Sequence, residues 1–153
     1  MIVPKEARDN YQEILSELHE RAFKELTKNF NEIETSELPT TEKLRKALEN
    51  HALVVANNSA LVKIFFHDEH EIPKDLREII RDRRKSYTQK IIKIYEHGLK
   101  EGVFRKEDPK IAVYFLLGSC NWLCRWYADT GVIDSESIVR SFLRLLQKGY
   151  EID

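Results

Sequence analysis

From Asp108 to Tyr127 the chain reads DPKIAVYFLLGSCNWLCRWY, which opens with a clear helix start and is then apolar on nearly every side. Asp108 can cap the first turn with its carboxylate, and Pro109 takes the first helical position, where a missing N–H costs nothing. A helix that is apolar nearly all round calls for burial on every side. Its longest uninterrupted apolar run, Ile111 to Leu117, is seven residues, far short of the roughly 20 that a bilayer requires. The burial must come from other helices packed around it.

At 153 residues the chain is one domain's worth, 1–153. That size buries about 70% of the surface an unfolded chain exposes, so no disulfide or metal is needed. Only five Gly and four Pro are available for turns, which points to an all-α fold. Apolar residues three and four apart predict a first helix over about 5–33, through Ile14, Leu15, Leu18, Ala22, Leu26 and Phe30. After Pro39 and the cap-capable Thr40, a second runs over about 41–67. It carries Leu44, Ala47, Leu48, His51 and Val55, then Leu61, Val62, Phe65 and Phe66; Asn57, Asn58 and Ser59 should kink or divide it. Pro73 opens a third, with Leu76, Ile79, Ile80, Tyr87, Ile91, Ile94, Tyr95 and Leu99, which Gly102 stops. The Asp108–Pro109 helix should reach about Tyr127. Gly131 then turns the chain, and Asp134 or Ser135 caps a last helix to about Gly149. That helix carries two adjacent stripes, Ile138, Phe142, Leu145 and Val139, Leu143, Leu146, Tyr150. So wide a face needs more partner surface than one neighbouring helix provides.

Catalytic motifs are missing: there is no G-x-S-x-G, phosphate-binding loop, dinucleotide fingerprint or H-E-x-x-H. The chain is read as a non-enzyme without cofactor. Cys120 and Cys124 stand one turn apart, two ligands short of a structural metal site, and read as small buried apolar side chains in a reducing compartment. His67 and His70 flank Asp68 and Glu69 at a helix end and read as exposed polar residues, so no metal is expected. A net charge of −1 argues against nucleic-acid binding through overall basicity. The one basic concentration, Arg81 to Lys85, reads as a solvated face or as an anion clamp in which Arg83 and Arg84 hold a phosphate. Met1-Ile2-Val3-Pro4 leads into charge rather than a signal segment, so the expected location is cytoplasmic, with no membrane partner.

Packing accounts for the apolar residues of NWLCRWY at 121–127 but leaves Asn121 and Arg125 in need of partners. Trp122 and Trp126 are four apart and share a helix face, with Asn121 and Arg125 beside it. A buried guanidinium must be paired, and an amide among apolar side chains must find partners. A filled core, a subunit interface and a cavity holding a polar ligand all fit.

From Gly98 to Tyr150 the pattern is G-x-x-E-G-x-F, then D-P, then G-x-x-N-W-x-x-x-W-Y, then a G-x-x-(S/D)-x-E-x-I turn before the final amphipathic helix. The residues are Gly98, Glu101, Gly102, Phe104, Asp108, Pro109, Gly118, Asn121, Trp122, Trp126, Tyr127, Gly131, Glu136 and Ile138. This stretch resembles the C-terminal domain of TetR-family transcriptional regulators, in particular the branch that responds to acyl-coenzyme A thioesters and controls fatty-acid or sterol-ring breakdown. From residue 5 to about 99 the likeness is one of helix order and length only.

The resemblance implies a helical bundle that encloses an apolar tunnel for a small-molecule effector. Asn121, Trp122, Arg125 and Trp126 would hold the coenzyme A end at its mouth, with Phe65, Arg83, Arg84 and Tyr87 as further ligand-binding residues. It also implies an isologous homodimer in which the last two helices meet their symmetry mates through Leu116, Leu123, Ile138, Phe142, Leu145 and Leu146. The effector would bind best to a state in which the first helix has pivoted, relieving repression of lipid-degradation genes. The family's N-terminal three-helix DNA-binding domain has no counterpart in the chain, so DNA contact is expected only through such a domain. The chain is then a clipped regulator or a sensor without a reader head. Two alternatives stay open. One is a small helical thioester-binding enzyme or carrier using Cys120 or Cys124 with His51 or His97; the other is a dimerising adaptor with a filled core and no ligand.

Overall fold

The computed structural model describes residues 4–67, 70, 72–127 and 132–152. Its elements are all helices: α1 (Lys5–Thr35), α2 (Thr40–Asn57), α3 (Ser59–His67), α4 (Lys74–Glu101), α5 (Pro109–Asn121), α6 (Leu123–Trp126) and α7 (Ser135–Tyr150). An isolated bridge between Phe104 and Glu151 is the β pairing among the described residues. Gly131, Asp68 and Glu69, which bear on the expected turn and the histidine-flanked acids, lie outside the described residues.

The helix boundaries follow local chemistry. Asp108 Oδ1 accepts from the Ile111 N–H at 3.0 Å and Asp134 Oδ1 from the Ser137 N–H at 2.8 Å, each capping the helix that follows. Gly102 ends α4 in the left-handed region, with φ at 73°. The expected weakness at 57–59 is a full division. The Asn58 side chain and backbone N–H both donate to the Val54 carbonyl, at 2.9 and 3.0 Å, and the chain leaves on a new axis as α3.

Thr40 is the first residue of α2, and Pro39 precedes it in the cap position without a side-chain cap. The helix expected over 109–127 is also broken, at Trp122. There the Ser119 hydroxyl donates to the Phe115 carbonyl at 2.8 Å, a back-bond that bends a helix end, and α6 follows as a single turn.

The helix enclosed on all sides is α2 rather than α5. Its neighbours are α1, α4, α5 and α7, and Leu44, Ala47, Leu48, Ala52 and Val55 are all buried on it. Alanines on successive turns let those neighbours approach closely. α5 buries Val113, Leu116, Leu117 and Cys120 but leaves Ile111 69% and Phe115 66% exposed. The expectation of all-round burial therefore fails within one chain: α5 has a wet apolar face. α7 repeats the pattern, burying Val139, Leu143 and Tyr150 while Leu145 is 78% exposed.

α1 is tied to α2 near its C-terminal end. Asn29 Nδ2 donates to Asn50 Oδ1 at 3.1 Å, and Asn50 Nδ2 donates to the Leu26 carbonyl at 3.0 Å. At the other end of the bundle Phe104 is buried between Tyr95 and Tyr150, ring centroids 5.1 and 5.6 Å away. The Tyr95 hydroxyl donates to the Arg105 carbonyl and the Arg105 N–H to the Tyr150 carbonyl, both at 3.0 Å, joining the end of α4 to the end of α7.

Candidate ligand-binding site

α1 to α5 surround a cavity of about 380 Å³, inside the range of about 300–1,000 Å³ typical of small-molecule sites. Helical spacing delivers its walls: Ala22, Phe23 and Leu26 from α1, Val54 and Val55 from α2, Leu61, Val62, Phe65 and Phe66 from α3, Ile80 from α4, Leu117 from α5. The division at Asn58 matters here, because it lets α3 close one side instead of continuing the line of α2. The cavity also removes the adaptor reading that required a filled core.

Against this apolar lining stands one buried polar cluster. His51 on α2 is stacked on Tyr87 of α4, centroids 5.6 Å apart and planes at 18°. Its Nδ1 lies 3.3 Å from the Tyr87 hydroxyl, and its Nε2 lies 2.8 Å from Oδ1 of Asn121 at the end of α5. Burial holds the His51 pKa below the usual imidazole value and pushes the Tyr87 phenol up, so both are neutral at pH 7. Thr88 completes the polar lining on that stretch of α4.

Further polar lining is contributed by His19 of α1 and Arg84 of α4. His19 packs edge-on against Phe65 with centroids 4.9 Å apart, and its Nδ1 is buried without a hydrogen-bond partner among the described residues. Burial first, and then the Arg83 charge, bring its pKa down to about 4. The Arg84 guanidinium sits 4.5 Å over the Phe66 ring. Arg83 turns the other way, donating to both carboxylate oxygens of Glu20 and lying 5.1 Å from the Phe23 centroid.

Of the residues singled out from sequence, Phe65, Arg84, Tyr87 and Asn121 line this cavity. Trp122, Arg125 and Trp126 do not. The two indoles are 60% and 54% exposed, and the Arg125 guanidinium lies 5.8 Å from the Trp122 ring, outside the cavity. Asn121 faces in, whereas Trp122, the next residue, presents its indole outward before Leu123 and Cys124 are buried again. Leu116 and Leu123 are 2% and 0% exposed inside the subunit, so neither is on a surface that a second chain could reach in this conformation. The exposed large apolar residues over 109–122 are Ile111, Tyr114, Phe115 and Trp122; on α7, Ile138, Phe142 and Leu146 are partly buried and Leu145 is exposed.

Sequence reasoning placed His51 in an apolar stripe and offered it otherwise only as a partner for Cys120 or Cys124, and it gave His19 no role. The signal available was a histidine interrupting an apolar helix face, which reads the same whether the ring is simply packed or serves as a hub.

The pairing needed for thiol chemistry is missing from this geometry. Burial pushes the Cys120 thiol up to about 12 and raises Cys124 as well, the reverse of an activated nucleophile. His51 is engaged by Tyr87 and Asn121, while His97 pairs with Glu101 at 3.3 Å on the surface. Among the described residues no three His, Cys, Asp or Glu side chains converge to hold a metal, and no helix is long and apolar enough to cross a membrane.

Residues 37–150 match the family described as tetracyclin repressor-like, C-terminal domain. Solved structures of similar shape include a transcriptional regulator of the TetR/AcrR family from Thermobifida fusca, with a TM-score of 0.82, 24% identity, and 97% of this chain and 81% of that one covered. The ketosteroid transcriptional regulator KstR2 of Mycobacterium tuberculosis also has a TM-score of 0.82, at 19% identity, over 92% of this chain and 73% of that one. AibR in complex with isovaleryl coenzyme A and operator DNA has a TM-score of 0.71 at 19% identity, over 88% of this chain and 73% of that one. The family and these neighbours are of transcriptional regulators, not enzymes. A curated relative, the C 2 component of the mouse V-type proton ATPase, is 27% identical over 116 residues; they are 74% of this chain, which spans about a quarter (26%) of that protein.

Proposed function

The chain belongs to the tetracyclin repressor-like, C-terminal domain family, and we propose that it is the effector-sensing and dimerisation unit of a transcriptional regulator whose effector is an acyl-CoA thioester. The observation that carries this reading is the apolar cavity between α1 and α5, with its few polar groups gathered at His51, Tyr87, Thr88 and Asn121 and at His19 and Arg84. A cavity of about 380 Å³ with such walls suits an acyl chain and not a nucleotide, whose phosphates would be desolvated there. The charged part of a thioester would stay outside, where Arg84 is the lining cation. The complex of AibR with isovaleryl coenzyme A lends this support from a neighbour of the same fold.

Two copies would pair through the apolar faces that α5 and α7 leave wet, around Phe115, Trp122, Phe142 and Leu145. The effector would shift the regulator by binding better to one setting of α1 than another, and so relieve repression of lipid-degradation genes. Calorimetric titration with acyl-CoAs of graded length, beside free coenzyme A and free fatty acids, tests the assignment. Saturable binding by acyl-CoAs alone, weakened in Gly118→Leu, is the expected outcome. A Cβ at Gly118 meets nothing within 4 Å, so that change narrows the cavity without disturbing the fold. A blank titration at every chain length would sink the effector assignment.

A further inference from the structure

We propose that Asn121 reads a carbonyl oxygen of the effector, presenting its amide N–H groups to the cavity because His51 and Tyr87 hold the other end of the amide. The inference deepens the effector reading above and rests on it.

The direction of each hydrogen bond in the cluster follows from its neighbour. Asn121 Oδ1 faces His51 Nε2 at 2.8 Å, and a carboxamide oxygen can only accept, so Nε2 carries the proton. The buried imidazole is neutral, which leaves Nδ1 as a bare lone pair. The Tyr87 hydroxyl, 3.3 Å from Nδ1, is therefore a donor in that bond. Tyr87 O–H points to His51, and His51 N–H points to Asn121. In this tautomer each group is committed, and the amide turns over only if the imidazole proton moves to Nδ1 and the Tyr87 hydroxyl becomes an acceptor.

What remains is Asn121 Nδ2, with two N–H donors, on a residue that lines the cavity. Apolar walls around two donors select a ligand that brings an acceptor and little else polar. A carbonyl does this. A carboxylate at Asn121 would lose its hydration to the neutral donor of an amide, its charge better met at Arg84, and a thioether sulfur accepts weakly. In a thioester the carbonyl is the junction between acyl chain and carrier, so docking it on Asn121 would set how far the chain enters. Asn121 is then a ligand-contacting residue, while His51 and Tyr87 are positioning residues.

The test compares octanoyl-CoA with S-octyl-CoA, its thioether analogue carrying CH2 in place of C=O, by calorimetry on the whole chain. Octanoyl-CoA should bind about tenfold tighter, a difference of about 1.4 kcal/mol. Asn121→Leu should bring that ratio close to one. Tyr87→Phe removes one oxygen from a ring that stays packed on Phe30 and His51, and should lower the ratio by freeing the imidazole. Nitrogen-15 shifts of the His51 ring should report the Nε2–H tautomer in the wild-type chain, independently of any variant. Equal affinity for the two ligands, or an Nδ1–H tautomer, would overturn the carbonyl reading while the effector assignment stood. Failure of acyl-CoAs of every chain length to bind would overturn the two together.

Discussion

The Phe104 ring occupies the space that any side chain on Gly98 would need: a Cβ placed on Gly98 would come within 2.1 Å of the ring. Since Phe104 is itself held between Tyr95 and Tyr150, the ring cannot move aside cheaply. Gly98→Ala should therefore destabilise the chain by about 1–3 kcal/mol, despite alanine's better helix propensity. The midpoint of urea unfolding measures it, and an unchanged or higher midpoint would mean the α4–α7 junction is looser than drawn. Gly102→Ala, whose Cβ would meet nothing, should cost about 1 kcal/mol through its positive φ alone.

Acid should loosen the fold in a defined window. His19 is held neutral with a pKa of about 4 against an ordinary 6.5, and burial lowers His51 in the same direction. Between those values the unfolded chain takes up the proton and the folded chain does not, so acidification favours unfolding. The stabilisation is complete above pH 6.5 and declines as pH falls toward 4. Carboxylates begin to titrate in the lower part of this range, so the histidine share is read from a variant. Unfolding midpoints followed from pH 7.5 to 4.5 should fall less steeply in His19→Phe than in the wild type. Parallel profiles would show that His19 is freely protonated in the fold.

Asn50 uses both ends of its amide to hold α1, accepting from Asn29 and donating to the Leu26 carbonyl. Asn50→Ala strands both partners at a part-buried site, at a cost of about 1–3 kcal/mol. Hydrogen exchange should accelerate along α1 more than along α5 or α7. Uniform acceleration would place the loss in the core as a whole.

The wet apolar faces of α5 and α7 give the homodimer proposal its own test. Light scattering should report twice the chain mass at micromolar concentration, and Leu145→Arg with Phe115→Arg should reduce it to one. Tryptophan emission should shift to the red at the same time, because Trp122 and Trp126 belong to that outer surface rather than to the cavity. A wild-type chain that runs as a monomer throughout would end the proposal.

How much of this was legible beforehand can be judged residue by residue. Asp108, Asp134 and Gly102 mark helix ends through short-range chemistry, and each does so in the fold. The motif linking Gly98, Gly102 and Phe104 likewise has a physical content, one residue vacating space for another and a third turning the chain. The orientation of NWLCRWY was not legible. Neighbours on a helix point in directions about 100° apart, and Trp122 keeps helical backbone angles, so Asn121 and Trp122 could not both face the cavity. Which of the two does is decided by how α5 and α6 pack on α2 and how α6 packs on α3. Nor could composition distinguish α2 from α5 as the enclosed helix. The long side chains of Arg45 and Glu49 cover α2 near its start by pairing with one another, whereas Ile111 and Phe115 stay largely uncovered by their own chain.

α1 is 31 residues long and tied down near Asn29, so it has the proportions of a lever with its fulcrum near one end. Ala22, at the cavity wall, is about 10 Å along the helix from that fulcrum, and Lys5 is about 36 Å from it. A push of about 1 Å at Ala22 thus becomes more than 3 Å at Lys5. That swing is resisted by Leu15, which is buried, by the packing of His19 on Phe65, and by the Glu20–Arg83 pair, which is solvent-exposed on its Glu20 side and therefore weak. With that gain, an effector of the proposed kind would need to disturb the cavity wall by little more than a thermal displacement to be registered at the far end of the helix.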